Sequence, residues 1–252
     1  MQIGEKGVKR IVFLGAKEIG KQCLEMLFKK QKDLDFKLIA VGTSSRGVGV
    51  REFAEAKGIP MIKDLSVLLS LEFDILFSVQ YHAILTQEQI ECAKEIAFNL
   101  HLAPLPEYRG CNQFSFAILN EDREFGVTIH RLAKGIDSGD IIFQKRFEIP
   151  KDCFVDELVE LANIEGFKLF CESLEKMLKG EYGLIPQDSI KALRREFHLR
   201  NEIEALKCVD LQACGGGALI EKIIRATAMP GFEPPYCYIG KRKFYFLQAK
   251  QD

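Results

Sequence analysis

Short continuous apolar runs alternate along this chain with stretches whose apolar residues recur at helical spacing. Val8 to Leu14 is such a run, ending at Gly15, and from Ala16 to Lys30 the residues Ile19, Cys23, Leu24 and Leu27 fall on one helical face. That is a strand, a turn and a helix. Phe36 to Val41 reads as a second buried strand leaving through Gly42, Thr43, Ser44 and Ser45, so the chain opens as a βαβ unit with parallel strands. Arg51 to Lys57 predicts a helix before Gly58-Ile59-Pro60, and Leu65 to Leu71 a short one. Phe73 to Val79 and Ile96 to Leu100 supply two more strands, with Thr86 capping the helix between them. The alternation predicts an α/β fold with a doubly wound, mostly parallel sheet, whose ligands sit beyond the carboxyl ends of the strands. Thr43, Gln80 and Asn99 lie at such ends.

Gly126 to His130 alternates as a strand, and Ile141 to Phe147 follows as another. Asp156 to Lys179 is the longest helical pattern, with Leu158, Leu161, Ile164, Phe167, Phe170, Leu174 and Met177 as a core-facing stripe and Gly180 as its stop. From Ile185 the texture changes. Lys191, Arg194, Arg195, Glu196, Arg200, Glu202 and Glu204 make a charged stretch, read as a solvated helix face, and Gly215-Gly216-Gly217 a flexible one. We place a boundary here, with residues 1–184 as the main domain and 185–252 as a small C-terminal α+β subdomain. The latter is below the size at which a core is self-sufficient and should pack on the former. It carries a helix end at Ile224 to Thr227 and a hairpin turned at Gly240-Lys241, whose apolar residues from Tyr236 to Leu247 suggest a homodimer.

Composition narrows the classes. With 35 basic and 36 acidic residues the net charge is −1, so no whole-chain field favours nucleic-acid phosphates. Eight cysteines are scattered without a Cys-x-x-Cys pair, and no cationic start precedes an apolar leader segment, which predicts a cytoplasmic protein with reduced thiols. No apolar run approaches the roughly 20 residues that span a bilayer, so no membrane partner is expected. No Cys or His spacing suggests a metal. Gly15 to Gln22 matches a phosphate-cradling G-x-x-x-x-G-K until its last position, where Gln22 replaces the hydroxyl that would hold magnesium. The preferred reading is a tight strand-to-helix turn with close packing at its glycines. The second spaced glycine of the dinucleotide fingerprint is also missing.

The candidate chemistry lies between Phe98 and Ile142. Asn99 and His101, two residues apart at the end of an apolar run, project from one face of an extended strand. Ala103 to Gly110, with Pro104, Pro106 and Gly110, cannot continue a strand or helix and so makes a rigid wall over that face. Gly135 to Asp140 is a turn-rich loop carrying Asp137 and Asp140, and a carboxylate there could fold back toward His101. An amide, an imidazole and a carboxylate in one site can supply an N–H for a developing oxyanion, a group for a proton, and an anion to fix the imidazole. Asp140 is the rival carboxylate, read as a partner of the loop backbone. His130 is read as structural.

These residues together resemble a known family. Asn-x-His at Asn99 to His101, Leu-Pro-x-Tyr-Arg-Gly at Leu105 to Gly110, Gly-Val-Thr-x-His at Gly126 to His130 and Gly-x-Asp-x-Gly-Asp at Gly135 to Asp140 are similar to the formyltransferases that use N10-formyltetrahydrofolate. The wording from Asn99 to Ile118 looks most like the branch that formylates nucleotide-linked amino sugars. The resemblance implies a Rossmann-like formyltransferase fold, with Asn99, His101 and Asp137 catalytic. It further implies that Ala83, Ile84 and Leu85 lend main-chain groups to the folate while Lys134, Gly135 and Ile136 close its pocket. Tyr108, Arg109, Asn112 and Gln113, which border the catalytic face, are the candidates for substrate binding. The implied reaction moves a formyl group to the amine of an amino-dideoxy sugar linked to dTDP or GDP, for surface polysaccharide such as O-antigen. Alternatives are formylation of methionyl-tRNA or glycinamide ribonucleotide, a catalytically silent folate- or nucleotide-binding module, and a P-loop NTPase.

Overall fold

The computed structural model describes residues 8–192, 194–212 and 216–247; Gly215, one of the three glycines singled out above, lies outside them. The strands are β1 (Lys9–Gly15), β2 (Phe36–Gly42), β3 (Met61–Ile62), β4 (Phe73–Val79), β5 (Ala93–His101), β6 (Tyr108–Gly110), β7 (Glu124–Arg131), β8 (Ile141–Glu148), β9 (Glu196–His198), β10 (Tyr236–Ile239) and β11 (Arg242–Tyr245). The helices are α1 (Lys17–Lys30), α2 (Val48–Ala56), α3 (Gln87–Glu91), α4 (Gln113–Leu119), α5 (Val155–Lys179), α6 (Glu202–Leu206) and α7 (Gly216–Thr227). Seven strands form one sheet in the order β3-β2-β1-β4-β5-β7-β8, with the first five parallel and β7 and β8 antiparallel. The expected doubly wound α/β sheet is present. Its strand order reverses between β1 and β4, which opens a crevice at their carboxyl ends.

Alternation along β5 decides what faces where. Phe98 and Leu100 join Ile75, Phe77, Leu158 and Phe170 in a large apolar layer under α1 and α5. Phe77 stacks on Phe98 at 5.2 Å between ring centroids and meets Phe170 edge-on at 5.5 Å. Burying each such ring stabilises the fold by roughly 1.5–3 kcal/mol. Ala97 points the other way, into a smaller cluster with Val12, Leu14, Leu76 and Leu85. Asn99 and His101 share that second face because side chains alternate.

Local signals account for several boundaries. Thr86 accepts from the Gln89 amide while the Gln89 side chain accepts from the Thr86 amide, a capping box that starts α3. Gly180 closes α5 in the left-handed conformation at φ 73°. The stripe expected on α5 needs correction at Ile164, which is 46% exposed, whereas Ala162 and Gly166 are buried. A Cβ on Gly166 would stand 2.6 Å from Leu102 Cδ2, so it is a small residue that lets the helix approach the sheet. Similarly, the Gly15-to-Gly20 turn is tight, with a Cβ on Gly20 meeting Gly15 C at 3.2 Å.

The C-terminal segment is tied into the main body. Ile141 and Ile185 exchange two backbone hydrogen bonds of 2.9 Å, α7 packs against α4, and Ala226 joins the large apolar layer. The charged stretch is not one helical face. Its Glu196–His198 portion is a strand paired in parallel with β6, and only Glu202–Leu206 is helical. Ion pairing contributes to the difference: Arg194 meets Asp122 at 2.9 Å, which ties the start of this stretch to the body of the protein. Pairing also makes a strand of Tyr108–Gly110, where the sequence predicted only loop.

Candidate active site

The site is built on β5 and β7. Asn99 pairs with His130 and His101 with Thr128 across the antiparallel ladder, and directly opposed residues project to the same face. Thr128 is fully buried and fastens the overlying loop, donating to the Ala103 carbonyl at 2.8 Å and accepting from the Leu105 amide at 3.2 Å. Gln144, opposite Thr128 on β8, donates to the Leu105 carbonyl at 2.7 Å. The proline-rich segment is therefore the rigid wall that its composition predicted, and it contains a cis Leu105–Pro106 peptide.

Beyond it, β6 turns alternate backbone groups toward the site. The Tyr108 carbonyl lies 2.9 Å from His101 Nε2, and the Gly110 amide donates to Asp137 Oδ2 at 3.0 Å. A carbonyl can only accept, so the Nε2 proton of His101 is fixed and Nδ1 is the nitrogen that gains or loses one. That Nδ1 faces Asp137 Oδ1 at 3.6 Å. His101 is 5% exposed, so little water screens the pair. Asn99, His101 and Asp137, the three residues singled out for chemistry, are thus brought together.

His130 joins them, which its reading as a structural residue did not anticipate. Its Nδ1 contacts the Arg131 carbonyl at 2.9 Å and is therefore protonated, leaving Nε2 to accept from Asn99 Nδ2 at 3.0 Å. The same Nε2 lies 3.6 Å from Asp137 Oδ1. This orients the Asn99 amide and leaves its second N–H, with no other partner among the described residues, for a ligand oxygen. Thr128 and His130 alternate with Val127 and Ile129, so the sequence puts both on one face, and the pairing of β7 with β5 brings that face to Asn99.

Asp137 adopts a left-handed backbone at φ 47°, uncommon for a non-glycine residue and worth attention where it occurs beside polar groups. Gln187 holds it there, donating to the carbonyls of Asp137 and Gly139 at 2.8 Å each. Nothing local in the sequence marks Gln187, which sits 50 residues downstream. Burial alone would raise the Asp137 carboxyl, but the neighbouring imidazoles of His101 and His130 and the Gly110 amide outweigh it and hold the group well below the usual carboxylate range. Asp140 is not a rival for the site: it pairs with the Arg131 guanidinium at 2.8 Å, a side-chain partner rather than the loop backbone expected of it.

The residues proposed to bind substrate are placed differently. Tyr108 is 2% exposed and its hydroxyl contacts Asp122 and Asn120, so it offers the site its carbonyl and not its ring. Gln113 is buried in α4. Asn112 spends its amide on the Leu199 and Arg200 carbonyls, at 2.8 and 3.2 Å, and Arg109 donates twice to the Ile136 carbonyl, at 3.0 and 2.7 Å. The contacts of Tyr108, Asn112 and Arg109 fasten the frame beside the site. The two segments assigned to folate flank the site: Leu85 is buried, whereas Ile84 is 71% and Ile136 39% exposed, with Lys134 and Gly135 also exposed.

A second polar group stands at the crevice between β1 and β4. Lys17, at the start of α1, donates to Gln80 Oε1 at 2.9 Å, bridging the two strand ends. Burial of its ammonium, followed by the charges of Arg46 and Arg200, holds Lys17 below the usual lysine range, although part of the residue faces solvent. None of the three cations has a carboxylate within ion-pair distance among the described residues.

The profile of the formyl transferase family matches residues 62–172, the span that carries Asn99, His101, His130 and Asp137. A methionyl-tRNA formyltransferase from a Synechococcus species is 31% identical over 259 aligned positions, covering 90% of this chain and 80% of that protein. The chain belongs to the formyl transferase family. A second relative, the methionyl-tRNA formyltransferase of Kosmotoga olearia, is 32% identical over 199 residues, which cover 73% of this chain and 63% of the relative. The chain thus spans less than two thirds of that relative's length. Among solved structures, a 4-N formyltransferase from Francisella tularensis superposes with a TM-score of 0.82 at 17% identity, covering 97% of this chain and 99% of that one. The N-formyltransferase of Helicobacter canadensis, solved with folinic acid and dTDP-3-aminofucose, gives 0.74 at 23% identity over 92% of this chain and 84% of that one. These likenesses establish the formyl transferase fold. Among the described residues no helix is long and apolar enough to cross a membrane, and no group of three or more His, Cys, Asp and Glu side chains is set to hold a metal ion.

Proposed function

We propose that this formyl transferase moves a formyl group from N10-formyltetrahydrofolate to the amine of a nucleoside-diphosphate-linked amino sugar, dTDP- or GDP-linked, as a step toward a surface polysaccharide such as O-antigen. The observation that carries the reading is the junction of Asn99, His101 and Asp137 at the carboxyl edge of the sheet, beside a crevice whose cations have no carboxylate partner among the described residues. Bound N10-formyltetrahydrofolate would supply the electrophilic formyl carbon. The exposed apolar side chains of Ile84 and Ile136, one on each flanking segment, suit the faces of a flat ring. Asn99 offers its second N–H to the oxygen on which charge develops. His101 takes the amine proton at Nδ1, where Asp137 stabilises the imidazolium, and can return it to the leaving nitrogen. Desolvation of the pair strengthens each of these interactions.

Lys17, Arg46 and Arg200 support this substrate class. A diphosphate beside Lys17 and Gln80 would meet cations that have no carboxylate partner among the described residues, and its sugar would extend along the strand ends toward His101. Register supports the geometry, since Gly15 pairs with Val79 and Val79 with Leu100, placing Lys17, Gln80 and His101 on successive strand ends. The names of the relatives favour a second reading, methionyl-tRNA as acceptor, against which the net charge of −1 gives no general attraction for nucleic acid. The two are separated by incubating the protein with N10-formyltetrahydrofolate and, in parallel, dTDP- and GDP-linked amino sugars, methionyl-tRNA and glycinamide ribonucleotide, with mass spectrometry of each acceptor. The account expects one sugar nucleotide to gain a formyl group; formylation of methionyl-tRNA alone would overturn the substrate assignment.

A further inference from the structure

β6 has one strand neighbour, β9, and the two lie in a two-stranded sheet of their own. The Tyr108 carbonyl and Gly110 amide point to His101 and Asp137, so the groups between and beyond them must be satisfied on the opposite edge. β9 satisfies them. The Glu196 amide donates to the Glu107 carbonyl at 2.7 Å and the Cys111 amide to the His198 carbonyl at 2.9 Å. Contact is close at Gly110, which has φ 83° and where a Cβ would stand 2.6 Å from the His198 carbonyl oxygen.

β9 in turn is anchored through the His198 side chain. His198 Nε2 lies 2.9 Å from Glu196 Oε2 and Nδ1 lies 2.8 Å from Glu202 Oε2, while the ring stacks on Phe116 at 3.4 Å and 3°. Only a doubly protonated ring donates to both carboxylates. Glu202 also caps the turn by accepting from the Leu199 amide at 2.6 Å. The remaining groups facing the imidazole come through Glu196, which accepts from Asn120 at 3.1 and 3.2 Å and lies 3.8 Å from Arg194, itself paired with Asp122.

We infer that His198 is a positioning residue for the site: by bridging Glu196 and Glu202 over Phe116 it holds β9 against β6, and through β6 it sets the Tyr108 carbonyl and Gly110 amide that orient His101 and Asp137. The inference rests on the formyl-transfer reading for its kinetic consequence, but its structural consequence does not. His198→Phe keeps a ring on Phe116 and removes both donors, and Glu202→Gln weakens one half of the bridge. The test is amide hydrogen exchange at single-residue resolution on the full chain, alongside steady-state kinetics. In His198→Phe the Gly110 amide should exchange at least tenfold faster while β1 and β4 amides keep their wild-type rates. Glu202→Gln should show a smaller rise at the same amide. Turnover should fall at least tenfold with KM for either substrate within about threefold. Unchanged Gly110 exchange in both variants, or an equal rise at all amides, would overturn the inference. If exchange responds as expected but no acceptor is formylated by the wild type, the positioning role stands and the proposed function fails.

Discussion

Replacing Asp137 with Asn removes one charge and little else. The amide keeps the carboxylate's shape and can still accept from the Gly110 N–H, so the loop has reason to stay in place. What is lost is the anion 3.6 Å from His101 Nδ1. At that distance, with an effective dielectric constant of about 20, Coulomb's law gives about 4–5 kcal/mol for a charged imidazole against the carboxylate. If this attraction stabilises the imidazolium formed as the amine gives up its proton, its loss lowers turnover by about 10³-fold. The assay is single-turnover formylation under saturating substrates, with circular dichroism to show that the variant is folded. A loss below about tenfold in a folded protein would refute the assigned role. Stability gives a second check. The folded carboxyl titrates below its unfolded value of about 3.9, so its contribution is present above that pH and disappears as the pH falls through the folded value. The stability gap between wild type and Asp137→Asn should therefore close below about pH 4 and not above it.

Three further substitutions separate frame from chemistry. Gln187→Ala leaves the Asp137 and Gly139 carbonyls without their donor and should cost about 1–3 kcal/mol in urea unfolding, with a drop in turnover; unchanged values for both would contradict the clasp. Gly139→Ala places a Cβ 1.8 Å from the Arg131 carbonyl oxygen, and the backbone must shift, so destabilisation of about 1–3 kcal/mol or loss of soluble protein is expected on expression and melting. Lys17→Met should raise KM for the nucleotide-linked acceptor about 10- to 100-fold, as for loss of one charge-assisted hydrogen bond, while KM for the folate stays the same. An unchanged acceptor KM would remove Lys17 from the diphosphate site.

Much of this architecture could be read from the sequence because it is local. The apolar runs, the Thr86 cap and the Gly180 stop each depend on a few adjacent residues, and alternation along β5 was enough to set Asn99 and His101 against Phe98 and Leu100. The site was harder where it depends on register. His130 stands in the centre because β5 and β7 pair at that position, and a lone histidine on a strand carries no such information. The part Tyr108 plays was hidden for a related reason: its ring fills the core while its carbonyl reaches the site, a choice set by the short β6–β9 pairing. That pairing joins segments more than 80 residues apart through Glu196-Phe197-His198, whose charge reads as surface. Gln187 reaches the Asp137 loop across 50 residues. On α5 the predicted stripe counted large residues, whereas the close contact was made by Gly166.

The central claim is that Asn99, His101 and Asp137 form one formyl-transfer centre. It is tested most directly by following tetrahydrofolate release and acceptor mass together for the wild type and for Asn99→Ala, His101→Ala and Asp137→Asn, with folate affinity measured alongside. The account predicts that each variant stays folded, binds folate with near wild-type affinity, and loses transfer by two or more orders of magnitude, in line with loss of an oxyanion donor or proton-transfer group. Wild-type transfer in any one of the three folded variants would contradict it.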